Sequence, residues 1–401
     1  MLFSKKFLAM IAAILIVSFN NAEARITLTP AQEQQIGRGQ INSENIAYQK
    51  DNLQLTAIQN TIIKWNRNRL KAYTNDHIRG LRNPNLLITN RSRVNAYSLP
   101  GGHIFVSDAM VVAFMSREFD PNTGVPTGMQ KENRFGNGFE LYGHSALAAA
   151  IAHEDAHWER NFIQRETNTI VSNISPAQEN DLKKKLHTGD GQGYNRTLDT
   201  LGFTDRVFPT VKKFVYTEEL EADKIAMEYL DNVDVYSPGS LMTVVSRMRN
   251  PVDAPKKLIH PNATVRKSLV IEHIKKRSNG RVQIDNEGKM KLDGKLFMGK
   301  GYLPARQDVT AFDRTAYVAG QLAKCVHDRA TRISPMTDKH AISSANGMVV
   351  IVGVNDITQK RYVIDKFDIS AKDASSLEAG KNAGHSAESR AAKEIIKFLR
   401  K

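Results

Sequence analysis

The stretch from Ser145 to Gln164 constrains the fold more than any other part of the chain. It is rich in alanine and lacks glycine and proline. Leu147, Ile151, Trp158 and Phe162 recur along it at helical spacing, which predicts a buried amphipathic helix. On that helix His153 and His157 stand at i and i+4, about 5–6 Å apart at Cβ and on one face. Glu154 lies at the edge of the apolar stripe, beside His157. A carboxylate at a buried edge is costly unless something receives its charge. The His153-Glu154-Asp155-Ala156-His157 pattern supplies a reason: two imidazoles spaced to share one tetrahedral zinc, and a glutamate able to take a proton from a water on that metal.

A catalytic zinc needs a third protein ligand and an open position. Arg160 and Ile163 occupy the places where a metzincin carries glycine and a third histidine, so that class is excluded. The next acidic run is Glu218-Glu219-Leu220-Glu221-Ala222-Asp223. On a helix, Glu219 and Asp223 share a face with Ala222, Ala226 and Leu230, whereas Glu218 and Glu221 point towards the opposite side. Carboxylates on an apolar face need something positive to receive them. Glu219 therefore reads as the third ligand, and Asp223 as an acceptor that orients a ligand histidine or an arginine. Glu179 offers another carboxylate, in a polar stretch without such a stripe.

The N-terminus carries Lys5 and Lys6, an apolar run from Phe7 to Phe19, and Ala22-Glu23-Ala24. This is the layout of a cleaved export signal, with the mature chain starting at Arg25. No later stretch is long and apolar enough to span a bilayer, so the protein is expected to be periplasmic or extracellular, with no transmembrane segment after signal removal. Cys325 is the single cysteine, which rules out an internal disulfide. The formal charge of +14 favours anionic partners such as an envelope surface. Its basic residues are scattered and no nucleic-acid module accompanies them, so no specific nucleic-acid partner is expected.

The expected fold class is α+β, in three parts: a signal peptide (1–24), a mainly helical zinc domain with a small sheet (25–280), and a smaller α+β domain (281–401). Within the second part, Leu86 to Thr89 and Val94 to Tyr97 read as strands of a hairpin, followed by Pro100-Gly101-Gly102 and the apolar run His103 to Val106. A long loop runs from Phe119 to Gly143. Helices are expected near Thr29-Pro30, at Ser175-Pro176, from Thr217 to Leu230, and after His260-Pro261, with a glycine-rich loop at 189–193. Beyond Gly280 the texture changes to alternating strand-like segments, then a helix near Asp313 to Thr331, two further strands, and a charged helix from Ser386.

Three separated motifs, Asn95 to Val106, His153 to His157 and Glu219 to Asp223, together resemble the HtpX-like and BepA-like zinc metallopeptidases, the family that includes the CAAX prenyl endopeptidases. His260-Pro261 with Arg266 is similar to that family's His-Pro element. The resemblance spans about Arg25 to Gly280. It implies one zinc per chain on His153, His157 and Glu219, with Glu154 as the base. It also implies a substrate-pairing edge strand after Gly101, at Gly102, His103, Ile104 and Phe105. His260 would donate to the developing oxyanion or cover the metal, and Arg266 would pair with Asp223. The long 119–143 loop and a C-terminal part without repeated helical hairpins depart from the BepA-like pattern. The expected activity is endoproteolysis of unfolded or extended envelope polypeptides. The competing expectation is an envelope chaperone or assembly factor that binds through residues 281–401, with the protease site latent or autoinhibited.

Overall fold

The computed structural model describes residues 26–43, 48–49, 55, 57–64, 66, 85–89, 94–115, 141–233, 236–247, 260–285, 288–298, 311–327, 331–337, 346–355, 357–359 and 361–370. The expected signal through Ala24, nearly all of the 119–143 loop and the expected helix from Ser386 lie outside them. None of the described helices is long and apolar enough to cross a membrane.

Helix α1 (Pro30–Ser43) starts where Thr29 and Gln32 cap each other, the Thr29 hydroxyl accepting from Gln32 N and the Gln32 side chain accepting from Thr29 N. Four strands follow: β1 (Tyr48–Gln49), β2 (Asn85–Thr89), β3 (Ala96–Leu99) and β4 (His103–Ser107). They form one mixed sheet in the order β1-β2-β4-β3. β3 and β4 make an antiparallel hairpin through Pro100-Gly101-Gly102, where Gly101 (φ 81°) and Gly102 (φ 77°) adopt the left-handed conformation open to glycine. α1 crosses this turn so closely that a Cβ on Gly37 would lie 2.2 Å from Pro100 O.

Two expectations change here. β2 does not pair with β3; it runs parallel to β4. β4 is therefore an interior strand, and Gly102, His103, Ile104 and Phe105 do not form an edge. Its side chains explain the placement, because Ile104, Phe105 and Val106 are wholly buried. The edge is β3, whose Tyr97 and Ser98 are half-buried.

The helices continue as α2 (Asp108–Met115), α3 (Leu141–Glu159), α4 (Phe162–Val171), α5 (Pro176–Thr188), α6 (Gly191–Gly202), α7 (Phe208–Asp231), a 3-10 turn at Pro238–Ser240, α8 (Leu241–Arg247), α9 (Ala263–Arg277) and α10 (Ala311–Val326). The single helix expected from Ser145 to Gln164 is broken in two, since Asn161 takes φ 55° and turns the chain. Likewise the glycine-rich 189–193 stretch opens α6, with the Asp190 carboxylate accepting from Gly193 N. Antiparallel three-stranded sheets form from β5 (Val282–Ile284), β6 (Met290–Leu292) and β7 (Lys295–Met298), and from β8 (Thr331–Thr337), β9 (Asn346–Asn355) and β10 (Arg361–Ser370).

The apolar core runs across the boundary expected at Gly280. Val282, Ile284, Met290 and the buried face of α10 from Ala316 to Val326 belong to the same cluster as Ala146–Ala152 of α3 and Ala222–Leu230 of α7. Lys324 of α10, buried, donates to the carbonyls of Leu230 (3.1 Å), Tyr236 (2.6 Å) and Val233, closing the C-terminal end of α7. A cation is favoured there because the last carbonyls of a helix lack partners within it. A second core, built on Ile36, Ile170, Leu182, Tyr194 and Val211, lies under α1 and α4–α6.

Candidate metal centre

Helix α3 packs against α7, and most of its buried apolar residues are alanines. Ala146, Ala148, Ala149, Ala150, Ala152 and Ala156 are buried, as are Ala222 and Ala226 opposite. Alanine has the highest helix propensity, and its small side chain lets two helix backbones approach closely. That approach brings side chains of α3 and α7 to one point. His153 Nε2 lies 3.1 Å from His157 Nε2 and 3.4 Å from Glu219 Oε2, and His157 Nε2 lies 3.2 Å from Glu219 Oε1. Among the described residues these three form a group whose ligand atoms all lie within 4.8 Å of one another.

Behind the triangle, Asp223 Oδ1 is 2.9 Å from His153 Nδ1. Arg266, from α9, donates to both Asp223 oxygens, Nε to Oδ2 at 2.7 Å and Nη2 to Oδ1 at 2.6 Å. All of these groups are buried. Burial opposes charge on His153, yet Asp223 and Glu219 outweigh it and push its pKa up to about 10. The same attraction works in reverse on the acids. Burial alone would raise Glu219, but His153, His157 and His260 hold it well below the usual carboxylate range; for Asp223, Arg266 and His153 do the same. Burial also works against the Arg266 charge, which Asp223, Glu219 and Glu154 together more than restore.

His260 enters from the chain just before α9. Its Nδ1 is 3.2 Å from Glu219 Oε1 while about half of its side chain (54%) stays exposed, and that contact raises its pKa. Glu154 is buried at the edge of the same centre.

The donor set fits zinc. Two imidazole nitrogens and one carboxylate at 2.0–2.1 Å from a tetrahedral ion would stand roughly 3.3 Å apart, and the observed separations are 3.1 to 3.4 Å. Neighbouring groups stand elsewhere: Glu179 pairs with Lys183 on α5, and Glu221 with Lys224 on the surface. His103, on the interior strand, stands outside the group, its pKa lowered by burial and by Arg38.

Helical spacing missed Glu218. It does leave α7 on another face, but that face is covered, not solvated: Arg160 and Arg165 receive its carboxylate, which is 1% exposed. The arginines three and eight residues after His157 were the available signal.

The sequence model of peptidase family M48 matches residues 65–280, more than half of the chain. No curated protein matches it.

Proposed function

The chain belongs to peptidase family M48, a family of metallopeptidases, and from that premise we propose that it is an exported, zinc-dependent endopeptidase acting on unfolded or extended envelope polypeptides. The observation that carries the reading is the convergence of His153, His157 and Glu219 within 3.1–3.4 Å of one another, with buried Glu154 following His153 on its helix. His153, His157 and Glu219 would hold zinc, which when bound would supply an acidic water and polarise a substrate carbonyl. Glu154 would act as the base for that proton and return it to the leaving amine nitrogen. Asp223, fixed by the Arg266 fork, places its negative charge 2.9 Å from His153 Nδ1, which favours a proton on that nitrogen and leaves Nε2 for the metal.

An extended substrate would pair with the edge of β3 at Ala96–Leu99 that bonds to no other strand among the described residues; β3 packs against α3. Backbone pairing selects extended chains over folded ones, hence the class of substrate. Export rests on the leader through Ala24, and the basic charge favours residence near an anionic envelope surface.

The test is hydrolysis of an unfolded polypeptide by zinc-loaded protein and by its Glu154→Gln variant. Equal rates would end the catalytic reading. Cell fractionation with N-terminal sequencing tests export, and a mature chain beginning elsewhere than Arg25 would refute the cleavage position. One observation supports a second reading, an enzyme held in check. His260 lies against Glu219 and is half exposed, so it can cover the centre as readily as it can donate to an oxyanion. Removal by His260→Ala separates these, since a cover predicts higher activity and a donor predicts lower.

A further inference from the structure

Glu218 immediately precedes the third ligand, and the grip on it is tighter than an ordinary ion pair. Arg160 Nε and Nη2 reach its two oxygens at 3.0 Å each, and Arg165 Nη1 reaches Oε2 at 2.6 Å. One turn earlier on α7, Phe214 stacks on Phe162 with centroids 5.6 Å apart, and the Arg165 guanidinium lies 5.6 Å from the Phe214 centroid. Phe162 in turn meets the His157 ring edge-on at 5.1 Å. The corner Arg160–Arg165, which begins three residues after His157, thus grips α7 at 214 and 218 and presses on His157.

Two features give this corner a task. The core shared by α3 and α7 is rich in alanines, whose short side chains interdigitate weakly and leave helix register loosely fixed where they meet. A bidentate guanidinium–carboxylate fork has a single good geometry and supplies that register. The two histidines also differ. Neither Nδ1 makes a hydrogen bond among the described residues, but His153 Nδ1 has a carboxylate oxygen of Asp223 2.9 Å away, whereas no such contact is seen at His157 Nδ1. The orientation of His157 therefore rests on packing, and Phe162 provides it.

Resting on the metal-centre reading, we propose that Arg160, Phe162 and Arg165, acting through Glu218 and His157, are positioning residues that hold the second imidazole and the third carboxylate in place for zinc. They touch neither metal nor substrate. Their loss should loosen metal retention even in molecules that stay folded.

The test uses the full chain, stripped of metal and titrated with zinc against a chromogenic chelator, with the melting temperature of the metal-free protein measured alongside. Arg160→Gln and Phe162→Ala should weaken zinc binding about 10- to 100-fold, the range for losing a group that orients a ligand. Phe162→Leu, which keeps apolar volume but loses the ring edge, should weaken zinc while barely moving the melting temperature. The exchange Arg160→Glu with Glu218→Arg should recover part of the affinity lost by Arg160→Gln. Glu179→Gln, which removes a surface pair, should leave zinc binding unchanged. Variants that melt earlier yet bind zinc as tightly as the unaltered chain would overturn the positioning role and leave these residues merely structural. Failure of the unaltered chain to bind zinc would overturn the metal reading itself, and this inference with it.

Discussion

Two pairs of acids in this protein titrate in opposite directions. On α7, Glu219 and Asp223 are held below the usual carboxylate range. Asp155, on the far side of α3 from the metal centre, is pushed up to about 8 by burial, with the Gln59 amide at 3.2 Å favouring the ion and the charges of Glu154 and Glu159 opposing it. Half-buried Glu166 on α4 is pushed up to about 7 by its partial burial and by Asp199. Depth does not separate the groups, since Asp223 and Asp155 are 0% and 1% exposed. What separates them is the company: the α7 acids face histidines and an arginine. Cations therefore accompany the acids that face the candidate metal centre, and no cation pairs with Asp155 or Glu166 among the described residues.

Exchange of each acid for its amide is the sharpest way to break that contrast. Glu154→Gln should lower kcat about 10²- to 10⁴-fold, the usual worth of a positioned base, with little change in melting temperature or zinc content. Steady-state kinetics on an unfolded substrate reads the first, and metal analysis the second. Asp223→Asn strands the buried Arg266 charge, which costs about 3–5 kcal/mol in denaturant unfolding, and it weakens zinc binding as well. A loss below 1 kcal/mol would mean that the Arg266 fork contributes little.

The metal side was legible because its chemistry is local. Spacing of four along one helix fixes the face of His153 and His157, and again of Glu219 and Asp223, so helix geometry alone aligned those pairs. Their meeting across two helices followed from the demand of a buried carboxylate for a positive partner. What packs on a helix face is not local. A helical wheel puts Glu218 away from Glu219 and leaves unstated that Arg160 and Arg165 cover it. Strand order failed for the same reason. Short runs of strand-forming residues mark β2, β3 and β4 as strands but carry nothing of β4 lying between the other two. The change of texture after Gly280 is real in the sequence, yet Val282, Met290 and α10 complete the core under α3 and α7. Composition registers surface as well as core, so a shift in it need not mark a break in packing.

A smaller effect sharpens the cation-rich half of the comparison. In the metal-free protein His153 carries a proton up to about pH 10, and a ligand must give its proton up to bind. Apparent zinc affinity should thus fall about tenfold for each pH unit of acidification over the range in which His153 stays protonated. Calorimetry in two buffers of different ionisation enthalpy should register about one proton released per zinc at pH 7. Uptake with no proton release would mean that His153 is already neutral and that Asp223 acts on it through orientation alone.

The smallest effect tests the acid-only half at a distance from the metal. Glu166 has a folded pKa of about 7, above its ordinary 4.5, so the folded state holds the proton more tightly than the unfolded one. The sign follows from that difference. Stability contributed by this group is fully present below pH 4.5 and is lost as pH rises through 7, because ionisation then favours the unfolded chain. Glu166→Gln keeps the volume and removes the titration. It should match the unaltered protein near pH 4 and exceed it by about 1–2 kcal/mol at pH 8.5, allowing for partial solvent screening of a shift worth 1.36 kcal/mol per unit. Thermal melts of the two proteins across that range supply the measurement, and a gap that is constant with pH would show that Glu166 is solvated or paired in the folded state. The idea that Asp155 and Glu166 lack cationic company would then fail at Glu166, and the contrast would have to rest on Asp155 alone.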